Sequence, residues 1–187
     1  MAKGRTVTTP NQIRILAIDP ASVVCGIACG TWRPGVSQDA VIERASLIRE
    51  TKTMDSEQRI VNLVDRFVHI VEREQPDRII VEIPSGKPGT GSKRGASYSL
   101  IIYGGAAFAL RTACQMMIQK CGFGFELHTV KENIWTRRWT KRERQLMACA
   151  IVPGYQIAND PGVDAGDAAC LLMWWCRQQE HITQEAS

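Results

Sequence analysis

The chain has 187 residues, 44% of them hydrophobic and 22% charged, and a net charge of +4, which fits one globular domain and excludes a disordered or fibrous chain. The first twelve residues lack the apolar core of a signal peptide, and the longest apolar run covers only residues 168–176, so we expect a cytoplasmic protein without membrane contact. Seven cysteines without a C-x-x-C pair predict buried reduced thiols, in place of a disulfide framework or a zinc site.

Three strands are predicted in succession at the start of the chain. Residues 13–19 (IRILAID) form an almost continuous apolar run, which is typical of a strand buried on both faces. Residues 23–31 and 40–48 predict two further strands, with Arg33-Pro34-Gly35 as the turn signal between them. Apolar residues then recur at three- and four-residue spacing from Ser56 until Pro76, which predicts an amphipathic helix.

A parallel crossover follows, because residues 78–82 (RIIVE) predict a fourth strand after this helix. Residues 84–95 contain four glycines, two prolines and three cations and therefore predict an exposed loop. Further elements are a helix at about residues 97–120, a strand at 123–129 and helices at 141–151 and 163–178. Small residues at 104–107 serve either packing within the chain or a dimer interface.

The order βββαβαβα, with an extra helical insertion before the last helix, predicts an α/β domain with a five-stranded mixed sheet flanked by helices. We expect a flexible segment over residues 1–12, a single domain over 13–179 and a tail over 180–187.

Four acidic residues stand out in this arrangement. Asp19 and Glu82 end the first and fourth strands, whose carboxyl ends share one edge of the sheet if the strands are parallel. Asp164 and Asp167 lie three residues apart on the last helix and therefore share a face. Each acid alone has a structural explanation, as a turn residue, a solvated strand end or a favourable helix start. Together they predict a site for hard divalent cations, because four converging carboxylates otherwise repel one another.

These residues resemble the motifs of the RuvC family of Holliday-junction resolvases, which have the ribonuclease H-like fold. Asp19-Pro20-Ala21-Ser22 with Gly26 is similar to the family's D-P-G-S-x-x-x-G, Val81-Glu82 to its second acid, and residues 164–168 (DAGDA) to its D-A-x-D-A. The resemblance covers about residues 13–177 and implies that this domain is a RuvC-type nuclease. It implies metal-binding and catalytic roles for Asp19, Glu82, Asp164 and Asp167, with two Mg²⁺ or Mn²⁺ ions per site. It further implies a homodimer that binds a four-way DNA junction.

Other positions match the family less closely. Lys131 resembles a lysine near the scissile phosphate, which implies a catalytic role, and Lys141 resembles a second lysine, with Arg142 or Arg144 as alternatives. Ala21 replaces the usual glycine, so we expect this turn to avoid positive φ. Ser85 stands where many members have an aromatic residue that stacks on a junction base, with Tyr98 as a candidate substitute, and base preference is open.

A basic segment precedes the last helix. Residues 131–144 (KENIWTRRWTKRER) contain six Lys or Arg and two Glu. Basic residues interleaved with Trp135 and Trp139 are typical of DNA contact, although a solvated helix surface is the alternative and core packing is favoured for the two tryptophans. The glycine-rich loop adds further cations. The predicted DNA contacts are Lys87, Lys93, Arg94, Arg137, Arg138, Lys141, Arg142 and Arg144.

The leading hypothesis is a structure-selective endonuclease that resolves four-way junctions in DNA recombination and repair by paired, symmetric, two-metal hydrolysis. A branch-migration motor is a possible partner. One alternative is another ribonuclease H-like nuclease acting on branched DNA or an RNA:DNA hybrid; ribonuclease H itself has an Asp where Glu82 ends the fourth strand. A second alternative is a non-catalytic junction-binding protein. An actin-like ATPase is disfavoured because it needs two lobes.

Overall fold

The computed structural model describes residues 12–36, 39–85 and 95–185. The strands are β1 (Ile13–Asp19), β2 (Val24–Trp32), β3 (Val41–Arg49), β4 (Arg78–Ile83) and β5 (Glu126–Lys131). The helices are α1 (Ser56–Glu74), α2 (Gly95–Cys121), α3 (Glu132–Trp135), α4 (Lys141–Ile151) and α5 (Asp164–Glu185), with 3₁₀ turns at Thr136–Arg138 and Ile157–Asn159.

All five strands belong to one mixed sheet in the order β3-β2-β1-β4-β5. The first three strands are antiparallel neighbours, and β4 lies parallel to both β1 and β5. The predicted meander and parallel crossover are therefore confirmed. Because Ile18 is paired with Val81, the next residues along each strand, Asp19 and Glu82, emerge side by side at the carboxyl edge.

The sheet is covered by helices on both faces. On one face, Leu16 and Ile18 of β1 share a buried cluster with Phe67 of α1 and Leu110 of α2. On the other face, alternate residues of β1 share a second buried cluster with α5, which contributes Leu171. Burial of β1 on both faces explains its nearly continuous apolar sequence.

Part of the small-residue stretch of α2 packs within the chain. Ala106 and Ala107 are buried, and a Cβ on Gly105 would make an ordinary van der Waals contact, at 3.5 Å, with the Ile60 side chain of α1. Of the two roles considered for this stretch, the structure therefore shows packing within the chain. Among the described helices, the segment Ile101–Cys121 is long and apolar enough to cross a membrane, by length and composition alone. A core helix of a soluble protein meets the same criteria.

Three elements differ from their predicted bounds by two residues or more, and the others agree within one residue. β5 covers Glu126–Lys131 instead of 123–129, because its pairing with β4 begins at Arg78 opposite Glu126. α2 begins two residues early, at Gly95. α5 continues to Glu185 instead of 178, so residues 180–185 of the predicted tail are helical. The buried Glu180 carboxylate accepts a hydrogen bond from the Gly35 backbone N–H, which fixes this extra part of the helix.

Two further expectations are partly answered. The predicted flexible segment lies outside the described residues except for Gln12. Five of the seven cysteines are buried, as expected, whereas Cys121 and Cys149 are exposed, and all seven are free thiols.

Candidate active site

A cavity of about 230 Å³ opens at the carboxyl edge of β1 and β4. Three of the four predicted acids, Asp19, Glu82 and Asp167, line it. Its other walls come from the turn after β1, from α2 and from the segment after β5. Those residues are Pro20, Ala21, Tyr103, Glu132, Trp135, Thr136 and Arg144.

The Glu82 carboxylate is buried, with 4% of the residue exposed. The Tyr103 hydroxyl donates a hydrogen bond to Oε1 at 2.5 Å, and the Trp135 indole Nε1–H donates one to Oε2 at 2.6 Å. Burial raises the pKa of Glu82 to about 7, although both hydrogen bonds act to lower it. Each carboxylate oxygen therefore has a protein donor in place of water.

Asp19 lies beside Glu82 and interacts with the other acids of the site. Burial raises its pKa well above the ordinary value, and repulsion from Glu82, Asp167 and Asp164 raises it further. The following turn contains Ala21 where the RuvC motif has a glycine. Among the described non-glycine residues, positive φ occurs only at Gln75 and Val163, so the expectation for Ala21 is confirmed.

Gly26 explains how α5 approaches the sheet. It pairs with Asp19 across β1 and β2, and a Cβ at this position would lie 1.8 Å from the carbonyl oxygen of Asp164. Only glycine allows the start of α5 to lie this close. Val163, just before the helix, has φ 72°, which is unfavourable for a β-branched residue, and its full burial holds it there. The motif glycine thus brings the last two acids to Asp19.

Asp164 occupies a different position from the other acids. Its Oδ2 lies only 2.0 Å from where a Cβ on Gly162 would be, and the residue does not line the cavity. Burial and repulsion from Asp160 raise the pKa of Asp164. The buried Asp160 accepts hydrogen bonds from the Tyr155 hydroxyl and from the Gly166 backbone N–H, and so anchors the first turn of α5.

Asp167 has a cationic partner. Arg144 Nε donates to Asp167 Oδ1 at 2.7 Å, and both side chains are mostly buried, at 16% and 14% exposure. The same guanidinium lies over the Trp135 ring, 5.7 Å from its centroid. Burial raises the pKa of Asp167, while Arg144 opposes that rise. Arg144, predicted as a DNA contact, therefore lies inside the acid cavity.

Among the residues that the structure describes, the other predicted cations do not line the cavity. Lys131 is exposed at the end of β5, opposite Ile83, and does not line the cavity. Arg137, Lys141 and Arg142 are exposed, and Arg138 belongs to a 3₁₀ turn. Lys87, Lys93 and Arg94 lie outside the described residues, as does the side chain of Tyr98.

Both tryptophans of the basic segment pack into the core, as favoured from the sequence. Trp135 is buried, and Trp139 is partly buried against the same cluster. The sequence did not identify Tyr103, Glu132 and Thr136 as cavity residues, and it did not reveal the hydrogen bond from Trp135 to Glu82. Tyr103 lies in an apolar helix, where the sequence gives no sign of a site residue. Glu132 could have been found, because it directly follows Lys131, which the family resemblance had identified.

The chemistry of the donors fits a hard divalent cation. The four acids that line the cavity, Asp19, Glu82, Glu132 and Asp167, offer only carboxylate oxygens. For Asp19, Glu82 and Asp167, burial together with mutual repulsion makes the charged forms unfavourable without a cation. Within residues 12–36, 39–85 and 95–185, no three His, Cys, Asp or Glu side chains form a ready metal-ligand cluster. In this structure the cavity carboxylates contact Tyr103, Trp135 and Arg144 instead.

The fold is similar to that of solved Holliday-junction resolvases. T. thermophilus RuvC in complex with Holliday junction substrate aligns with a TM-score of 0.61, 15% sequence identity, and coverage of 90% of this chain and 97% of its own. A second Thermus thermophilus RuvC structure aligns with a TM-score of 0.62, 13% identity, and coverage of 92% and 97%. The yeast mitochondrial Holliday junction resolvase Ydc2 aligns with a TM-score of 0.58, 15% identity, and coverage of 92% and 81%.

No family model matches the sequence, and no curated protein matches it. At these identities the likeness establishes the fold alone. It confirms the predicted α/β fold of ribonuclease H-like type, with a five-stranded mixed sheet.

Proposed function

We propose that this chain is a metal-dependent endonuclease that cuts four-way DNA junctions in recombination and repair. The observation that carries the proposal is the cavity in which Asp19, Glu82 and Asp167 meet, at the carboxyl edge of a sheet with the RuvC fold. Open α/β sheets place their functional groups at this edge. The structural neighbours named above include an enzyme solved with a Holliday junction, and we extend that substrate class to this chain.

The cavity acids would hold the metal, with Asp164 close to them at the start of α5. When bound, divalent cations would activate a water molecule and stabilise the leaving oxygen of the phosphodiester. Glu82 is oriented by Tyr103 and Trp135 before any substrate arrives. Arg144 keeps Asp167 ion-paired within the same cavity. The chain thus supplies preoriented carboxylates, which is the contribution that a protein makes to metal-assisted hydrolysis.

The segment 131–144 supports DNA as the substrate. Four of its residues, Glu132, Trp135, Thr136 and Arg144, line the cavity, so the segment forms one wall of the site. Its exposed cations are available to phosphates around that wall. They are Lys131, Arg137, Lys141 and Arg142. We propose that Lys131, at the same sheet edge as Glu82, contacts the scissile phosphate.

Symmetric paired nicking follows if two copies of the chain each contribute one cavity, and we therefore include a homodimer in the proposal. The outer face of α2 supports it. Ile101, Phe108 and Met116 are exposed on that helix, with Phe108 at 68%, and their spacing of seven and eight residues places them on one side. Large exposed apolar side chains in one stripe are typical of an interaction surface.

The test is cleavage of a labelled four-way junction by Asp167→Asn in Mg²⁺ or Mn²⁺. We expect nicking to be abolished while junction binding is largely retained, because the substitution removes a carboxylate from the cavity. Asp65→Asn is the matched control, because Asp65 lies exposed on α1. We expect this variant to cleave at the wild-type rate. Cleavage by Asp167→Asn at the wild-type rate would overturn the proposal.

Two further substrates separate the alternatives. Wild-type protein that cuts an RNA:DNA hybrid or a Y-fork in preference to the junction would be another ribonuclease H-like nuclease. Junction binding without cleavage in either metal would indicate a non-catalytic binding protein.

A further inference from the structure

We propose that Tyr103 and Trp135 are positioning residues that hold the Glu82 carboxylate in the orientation required for metal binding. The inference rests on the proposed function and names two residues that lie outside the three acid motifs. Tyr103 comes from α2 and Trp135 from α3, whereas Glu82 is the penultimate residue of β4. One carboxylate thus joins three separate elements of the fold.

Each oxygen of the Glu82 carboxylate has its own hydrogen-bond donor. The Tyr103 hydroxyl donates a hydrogen bond to Oε1 at 2.5 Å, and the Trp135 Nε1–H donates one to Oε2 at 2.6 Å. A carboxylate oxygen has two lone-pair directions, so each oxygen keeps one direction for a cation after accepting one hydrogen bond. With 4% of Glu82 exposed, water does not replace either donor easily. The two donors therefore fix the carboxylate plane and leave it able to bind a cation.

Trp135 has a second contact that extends this arrangement. Its indole is buried, at 3% exposure, and its ring face carries the Arg144 guanidinium. Arg144 in turn donates to Asp167 and to the Trp139 backbone carbonyl. The position of one indole therefore sets the surroundings of two acids, Glu82 through its N–H and Asp167 through Arg144.

Phenylalanine substitutions isolate the donors. Tyr103→Phe removes one hydroxyl, and Trp135→Phe removes the indole N–H but keeps an aromatic ring over which Arg144 can lie. Loss of an outer partner of a ligating carboxylate typically weakens metal affinity about 10–100-fold. We expect Mn²⁺ affinity, measured by isothermal titration calorimetry on the DNA-free protein, to fall by about this factor in each variant.

Comparing the metal requirement with the maximal nicking rate distinguishes a positioning role from a general loss of structure. The Mn²⁺ concentration for half-maximal nicking should rise about 10–100-fold in Tyr103→Phe, while the rate at saturating Mn²⁺ stays within a few-fold of wild type. Trp139→Phe is the matched control, because Trp139 packs against the same core and should keep wild-type Mn²⁺ affinity. If Trp135→Phe does not fold, Tyr103→Phe decides alone, since it removes only one oxygen atom.

The two proposals fail in different ways. If wild-type protein neither binds Mn²⁺ nor nicks a junction, the proposed function is wrong. If wild-type protein does both and Tyr103→Phe keeps the same Mn²⁺ affinity and the same metal requirement, the positioning role is wrong and the nuclease proposal stands.

Discussion

Glu82→Gln should stabilise the metal-free protein at high pH. Burial raises the pKa of Glu82 from 4.5 to about 7, so the fold favours the neutral acid. The unfolded chain ionises near the lower value. The stability that the neutral carboxyl contributes is therefore complete below about pH 4.5 and lost as the pH rises through about 7. Glutamine stays neutral at every pH and avoids this loss.

The size of the effect follows from the shift. A difference of about 2.5 pKa units at 1.36 kcal/mol per unit is about 3 kcal/mol. The amide fits the same contacts, because Trp135 can donate to its oxygen and the Tyr103 hydroxyl can accept from its N–H. The amide thus keeps a hydrogen bond to each of these two residues.

Thermal unfolding with a chelator present measures the effect. For a domain of this size 1 kcal/mol corresponds to about 2–4 °C, so Glu82→Gln should raise Tm by roughly 6–12 °C at about pH 8. The difference should nearly vanish at about pH 4.5, and Mg²⁺ should reduce it at high pH by stabilising only the wild type. Glu72→Gln, at an exposed position of α1, is the control. An equal or lower Tm for Glu82→Gln at high pH would refute the reasoning.

Two other substitutions test the Arg144–Asp167 ion pair and the proposed dimer interface. Arg144→Gln should tighten Mn²⁺ binding by about 1 kcal/mol, roughly fivefold, because the guanidinium competes for Asp167; calorimetry against Arg142→Gln measures this, and unchanged or weaker binding would contradict it. We expect the Phe108→Glu variant to sediment as a monomer at micromolar concentration. The Val61→Glu variant, changed at an exposed position of α1, should remain dimeric. A monomeric wild type, or a dimeric Phe108→Glu variant, would count against the α2 interface.

The parts of the site that follow from local rules were predictable. Parallel pairing of β1 and β4 places Asp19 beside Glu82, and an apolar run before each acid identifies both strand ends. The three-residue spacing of Asp164 and Asp167 gives them one helix face. It does not determine their surroundings. Asp164, at the first position of α5, lies against Gly162 outside the cavity lining, because the chain turns sharply just before the helix.

The contacts that orient the acids were not predictable, for a different physical reason. Tyr103 is 21 residues and Trp135 is 53 residues from Glu82 in sequence, and each lies on another element. No periodicity or capping rule relates positions that meet only through tertiary packing. Arg144 illustrates the same limit. Its place in a basic segment predicts DNA contact, but its side chain turns inward to Asp167 once α4 packs on α5.

Gly26 and Trp135 differ in how strongly the local geometry restricts the residue type. At Gly26 any Cβ would collide with the Asp164 backbone, so a single residue type satisfies the geometry and the position is readable from sequence. At Trp135 the contact with Glu82 requires an N–H or O–H that reaches Oε2, and several side chains carry such a donor. The backbone contact at Gly26 therefore restricts the residue type, whereas the hydrogen bond at Trp135 does not restrict it to one side chain. Residues such as Trp135 have to be found from the contacts of the acids themselves.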